Sequence, residues 1–385
     1  MRYKIWFILL AAWLLVACSK ESEQTVTPTP APSPTPGGQT PDPDKPDPTP
    51  QPPVEVDGDP IWLVAATRSS LGSADESHSP IQIFLISGTT KTSMTNKREG
   101  LFSFDSGKNL WTSTIGLKDV WNSMYGFSPA NAAYCDIKPA SGTSYHSGAV
   151  MTMKNINAAS GEDLCVIVGV KHSTTNDAVE PDEGQFTFKK EENNYLTLLL
   201  DHVFASIDFK VRIGADYSKR RFVKIKKLEL LSDYKLNDVT VTQTPGSTTF
   251  DYHKEAVTGS EEKPTGIVYD FTLDTDPQNK EGKALTTTGT TFPGYFAPDE
   301  DGTIAKGLSL VCTYDVYIID NNNKVGTRVR ENCTAVNSLK GIFTSLDAPL
   351  KRGQKILITL TVEPTYLYQL SDDELDNPSI KITSE

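Results

Sequence analysis

The sequence predicts an all-β protein built from two tandem β-sandwich domains behind a disordered Pro-rich arm. Three observations carry this. Apolar and polar residues alternate with period two in many short runs, such as Ile207, Phe209, Val211 and Ile213 against Asp208, Lys210 and Arg212. Gly, Pro, Asn and Asp separate those runs as turns. No segment holds a helical apolar stripe over about a dozen residues. Many short strands with frequent turns point to sandwiches and away from alternating α/β units.

At the start, Arg2 and Lys4 precede an apolar run from Ile5 to Val16. That run is too short to cross a bilayer, which needs about 20 residues. It reads as a signal peptide over residues 1–17. Leu15-Val16-Ala17-Cys18 matches the bacterial lipobox, so Cys18 is the expected lipidation site. Several acyl chains anchor stably, each buried CH2 contributing about 0.8 kcal/mol. Residues 18–60 are Pro, Thr, Asp and Gln with almost nothing apolar, including Pro28, Pro30, Pro32, Pro34 and Pro36. Such a segment cannot bury enough surface to offset its ordering entropy. It favours extended polyproline geometry and reaches on the order of 100 Å.

Ordered sequence begins at Ile61. Pro80–Ser87 and Leu164–Val170 are apolar on both faces, as central strands are. Short helical turns are expected at Leu117–Tyr125 and Leu370–Leu375. Phe186 and Phe188 mark a brief strand. The polar stretch Glu191–Asn194 is taken as the boundary between domains at 61–192 and 193–385. Lys219–Lys227 reads as a solvated strand edge. Phe222–Leu231 changes phase between Ile225 and Leu228, which implies a bulge. Tyr269, Phe271 and Leu273 form one further alternation, and Ile356, Ile358, Leu360 and Val362 another. Ser379–Thr383 is a candidate last strand.

A net charge of −12 opposes nucleic-acid binding, which needs a basic surface. Beyond Cys18 there are four cysteines in a compartment that permits disulfides. A two-residue turn at Asn322-Asn323 sets Cys312 opposite Cys333, leaving Cys135 and Cys165 as the second pair; four reduced thiols are the alternative. His78, His146, His172, His202 and His253 form no metal or catalytic motif by spacing. His202 stands in an apolar setting and reads as a core-edge residue. Asp299-Glu300-Asp301-Gly302 and Asp372, Asp373, Glu374 and Asp376 lack the spacing of a calcium loop and read as exposed turns. Trp111, Trp121, Tyr125 and Phe127 are expected in the core. Nothing selects a catalytic pair of carboxylates, so neither an enzyme nor a cofactor or metal is expected.

Five passages, in this order, resemble the fimbrillin family, the fimbrial subunit lipoproteins of Bacteroidetes-type bacteria. Ser19-Lys20-Glu21-Ser22-Glu23 is similar to the acidic export signal that follows the lipid Cys. Ile61-Trp62-Leu63-Val64-Ala65-Ala66-Thr67-Arg68-Ser69 resembles the first strand. Trp121-Asn122-Ser123-Met124-Tyr125-Gly126-Phe127-Ser128-Pro129 is similar to the aromatic-to-Pro segment. Leu199–Phe209, around His202, and Gly353–Val362 resemble two later strands. The resemblance implies transthyretin-like sandwiches. It also implies assembly by donor-strand exchange after an arginine-specific protease cuts at Arg68. Ile61, Leu63 and Ala65 are then the side chains that fill the groove.

The expected function is therefore a surface-exposed adhesive subunit, fimbrial or fimbria-like, lipid-anchored in the outer membrane. Its expected partners are other subunits or itself through strand exchange, and a host protein or glycan. The long arm suits a subunit that keeps its lipid, as an anchor, a tip or a standing adhesin. A tethered glycan-binding lipoprotein that does not polymerise is the alternative, and it expects Trp111 or Trp121 exposed.

Overall fold

A pleated chain sends successive side chains to opposite faces, so period-two segments become half-buried strands. A computed structural model of the chain describes residues 56–68, 78–258, 265–273, 281–298, 303–320, 322, 324–345, 350–363 and 379–384. The signal peptide, Cys18, most of the Pro-rich arm, Asp299–Gly302 and Leu370–Asp376 lie outside the described residues.

The first half contributes β1 (Trp62–Arg68), β2 (Ile81–Gly88), β3 (Asn96–Asp105), β4 (Leu110–Ser113), β5 (Trp121–Ser128) and β6 (Tyr134–Pro139). β7 (Ala149–Lys154), β8 (Ala159–Ser160), β9 (Cys165–Ser173), β10 (Thr187–Lys189) and β11 (Tyr195–His202) follow. The second half gives β12 (Ala205–Ile213), β13 (Arg221–Ser232), β14 (Tyr234–Thr244), β15 (Ser247–Ala256), β16 (Thr265–Asp270) and β17 (Lys283–Ala284). Last come β18 (Thr290–Phe296), β19 (Leu308–Ile319), β20 (Val325–Ser338), β21 (Lys355–Glu363) and β22 (Ser379–Ser384). Helix is confined to short pieces among the described residues, so the chain is all-β as expected.

One sheet of eight strands runs β1-β11-β9-β5-β2-β3-β4, with β10 on β5. It coils until its two edges, β1 and β4, lie against each other. Asp59 and Leu117 close the seam with reciprocal backbone hydrogen bonds of 2.7 and 2.8 Å. The concave side holds Ile61, Leu63, Ile81, Ile83, Leu85, Phe102, Ile167, Leu198 and Leu200 as one buried cluster. Alternate residues on the same strands, Phe84, Ile86, Val166 and Val168, belong to a second cluster with Met151, Met153, Val239 and Val241. Those last four come from the four-stranded sheet β15-β14-β7-β6, which covers the convex side. Two more sheets, β22-β21-β12-β18-β8 and β16-β13-β19-β20 with β17 on β13, share that second cluster. Each fully buried Leu, Ile or Phe stabilises by about 1.5–3 kcal/mol, so the alternation dictates which faces meet.

Four ladders join segments on either side of 192/193: β11 pairs with both β1 and β9, Met153 of β7 faces Val239 of β14, and Ala159 of β8 faces Phe296 of β18. The expected division at that point separates stretches of chain, while the sheets cross it.

Several expectations meet their strands directly. The phase change in β13 is a bulge between Ile225 and Lys227, and Ser379–Ser384 folds back on β21. Others are corrected. Leu117–Tyr125 contains no helical turn; it leads into β5, whose Asn122–Ser128 are all buried. A strand covered on both faces shows no alternation, so periodicity cannot identify it. The basic run Lys219–Lys227 is not an edge, because β13 lies between β16 and β19. Its lysines are paired: Lys224 with Glu281 at 3.8 Å, Lys226 with Asp315 at 3.2 Å and Lys227 with Asp270 at 3.5 Å. Past Tyr269 the strand stops at Asp270, whose Oδ1 accepts the Thr272 N–H at 2.9 Å and turns Phe271–Leu273 into a short 3-10 helix.

The four cysteines are free thiols. Cys312 faces Ala335 and Cys333 faces Tyr314, so the turn-centred count that set Cys312 opposite Cys333 is corrected. Irregularities between Tyr314 and Ile319 put extra β20 residues into the ladder and slide Cys333 past its expected partner. Cys135 lies in β6 facing Met153, and Cys165 in β9 facing His202, on different sheets.

Candidate functional site

β1 forms one margin of the coiled sheet, and among the described residues its ladder is with β11 alone, in parallel register from Trp62 opposite Tyr195 to Arg68 opposite Leu200. The Trp62 N–H donates to Asn194 O at 2.9 Å, and Thr67 Oγ1 donates to Leu198 O at 3.4 Å. A register irregularity between Leu63 and Ala65 changes the phase of the strand. Ile61, Leu63 and then Ala66 therefore enter the concave cluster. Ala65 is also buried but lies outside that cluster, which Ala66 joins instead. Sequence reasoning missed this because strict alternation was carried through a bulge.

Charges brace the seam. Lys190 Nζ is 2.9 Å from Asp59 Oδ2, and Lys118 pairs with Asp57. The Lys118 hydrogen bond holds the Asp57 carboxyl below the usual carboxylate range. Arg98 donates to the carbonyl of Asp57 at 3.1 Å and to that of Gly116. These contacts tie the lead-in to β1 to the segment after β4.

The aromatic residues divide. Trp111, Tyr125 and Phe127 are buried, as expected of core. Trp121 is half-buried, with Lys91 Nζ 5.7 Å from its ring centroid. Trp62 stacks on Tyr195 across the β1–β11 ladder at 6.4 Å between centroids.

Burial pushes the thiols of Cys135 and Cys312 up to about 12, so neither offers a thiolate near neutral pH. His202 has company that spacing did not reveal. Its Nδ1 lies 2.8 Å from Asp163 Oδ1 and 3.6 Å from Cys165 Sγ; Cys165 and His202 are buried, and the Asp163 side chain is nearly so. The only local signal is that Asp163 and Cys165 are two apart and so share a face. His202 joins them through the β9–β11 register.

No family model matches the sequence, and no curated protein matches it. Solved structures do. A fimbrial protein from Bacteroides vulgatus is 13% identical, with a TM-score of 0.39 over 85% of this chain and 98% of that one. A candidate cell adhesion protein from Bacteroides fragilis is 11% identical, with a TM-score of 0.38 over 86% and 98%. A candidate polysaccharide-binding protein from Bacteroides thetaiotaomicron is 8% identical, with a TM-score of 0.33 over 82% and 99%.

Proposed function

We propose that the chain is a non-catalytic adhesive subunit displayed on the cell surface, fimbrial or fimbria-like, anchored by lipid on Cys18 in the outer membrane. Its assembly device is β1. The supporting observation is that β1 is a marginal strand with a single ladder among the described residues, and that Ile61 just before it and its Leu63 and Ala66 fill the inside of a nearly closed sheet. Withdrawing β1 uncovers the edge of β11 and the space those side chains filled. An incoming strand restores both, with main-chain hydrogen bonds supplying affinity and alternate side chains supplying selectivity. Cleavage after Arg68, the last residue of β1, leaves that strand held by non-covalent contacts alone. The donor is another subunit or a second copy of this chain, and a host protein or glycan is the ligand of the assembled surface. The glycan-binding alternative expected Trp111 or Trp121 in the open; Trp111 is 7% exposed and Trp121 half-buried.

Treating the mature chain with an arginine-specific protease tests this. The expected outcome is a cut after Arg68, loss of β1 and SDS-resistant multimers, with Arg68→Ala uncut and monomeric. Leu63→Ala, worth about 2–3 kcal/mol of lost packing, should speed release of the cut strand. A trimmed chain that stays monomeric and refuses a synthetic β1 peptide removes the exchange mechanism. The amino terminus of protein taken from cells separates two roles: a start at Ser69 marks a polymerising subunit, and a lipid-blocked Cys18 marks a tethered one.

A further inference from the structure

We propose that Asp163, Cys165 and His202 form a buried binding site for one divalent cation of borderline softness, with zinc the best match. Asp163 lies two residues before Cys165, which opens β9, and His202 closes β11 directly opposite Cys165. Their three donor atoms lie within 4.8 Å of one another. Cys165 is 0% and His202 4% exposed, and the Asp163 side chain is 8% exposed.

The arrangement brings two electron-rich atoms to one ring nitrogen. Nδ1 carries at most one proton and can donate it fully to only one of them. A cation in place of that proton serves all three donors at once. Zinc sits about 2.0–2.1 Å from imidazole nitrogen, about 2.3 Å from thiolate and about 2.0–2.2 Å from carboxylate, which sets tetrahedral neighbours about 3.3–3.6 Å apart. The 3.6 Å between Nδ1 and Sγ already fits, and the 2.8 Å to Oδ1 opens by about 0.5 Å on binding. The donor set discriminates as well. Calcium and magnesium take oxygen ligands, whereas a thiolate with an imidazole selects zinc or a similar transition ion. One thiolate and one carboxylate cancel a double positive charge, which lowers the cost of burying the ion. Water fills the fourth position.

The site stands on its own side chains and does not depend on strand exchange. It clamps the end of β11 to β9, close to where Leu200 receives Arg68. The mature chain, stripped with a chelator, is titrated with Co2+ as a spectroscopic probe and then with Zn2+ in competition. The expected result is one equivalent of cobalt, with a thiolate-to-cobalt charge-transfer band that one equivalent of zinc abolishes. Cys165→Ser should lose the band and weaken binding at least about 100-fold, the upper cost of losing a mere hydrogen-bond partner of a ligand. Asp163→Asn should keep the band and bind more weakly, while Cys135→Ser, Cys312→Ser and Cys333→Ser should bind as the parent does. Near-ultraviolet circular dichroism checks that each variant is folded. A folded parent chain that takes up no stoichiometric cobalt or zinc overturns the proposal, as does a band that survives in Cys165→Ser.

Discussion

At Asp315 a carboxylate with no solvent exposure receives the Asn332 N–H at 2.7 Å, Lys226 Nζ at 3.2 Å and Arg328 Nη1 at 3.3 Å. It joins β13, β19 and β20 at the place where the β20 ladder becomes irregular. Removing one partner of such a pair leaves charge uncompensated, at a cost of about 3–5 kcal/mol when the pair is fully buried. Lys226 and Arg328 reach water, so Asp315→Asn should cost about 2–3 kcal/mol by urea unfolding; a cost near zero would show that the charge does not hold the bulge. His253 is the opposite case, an imidazole on the surface hairpin β14–β15. Its Nε2 meets Asp251 Oδ2 at 2.9 Å, and its Nδ1 meets Asp238. Hydrogen bonds to Asp251 and Asp238 raise its pKa above 6.5. A group that holds its proton more tightly when folded stabilises most below about 6.5 and loses that stabilisation as pH rises through the raised value. Wild type should therefore lose more stability than His253→Gln between about pH 6 and pH 8.5; equal losses would remove His253 as the source.

Among elements, β5 shows what backbone proximity costs. A Cβ built on Gly126 would lie 2.1 Å from the Gln82 carbonyl oxygen, so a side chain there pushes β2 from β5. Gly126→Ala should destabilise by about 1–3 kcal/mol, as overpacking does; a neutral result would mean that the two strands separate freely. β5 also shows a limit of pattern reading. Its Asn122 and Ser123 are fully buried, Asn122 donating to Asp119 O at 2.9 Å and Ser123 bonding Thr187 at 2.7 Å. β12 was readable because one face of it is less enclosed, and its alternation survived from Ile207 on; in β21 Thr359 and Thr361 are buried along with Ile358, Leu360 and Val362.

On the scale of the molecule, the described strands belong to one compact unit that starts at Pro52, after nearly all of the Pro-rich arm. Deleting residues 24–51 should leave urea unfolding unchanged, while antibody access to the folded part on whole cells falls. Unchanged unfolding with reduced access is the outcome expected of a spacer, on the order of 100 Å long if extended; a large loss of stability would show that the arm packs on the strands. The same scale explains the legibility of the candidate site. Ile61 and Leu63 were readable as an apolar strand, but the substitution of Ala66 for Ala65 was not, because a bulge obeys its ladder partner and not its own sequence.

The sequence by itself determined the strand-rich class, the bulge in β13 and the alternating faces of β12. These are local properties, set by the pleat and by composition. Tertiary structure alone decided that β1 runs parallel to β11, that β7 pairs with β14, that Cys333 slips past Cys312, and that His202 meets Asp163 and Cys165. Period two states that a face is buried and is silent about what covers it. That choice depends on contacts between residues far apart in the chain, where many pairings bury similar area and only the assembled core separates them.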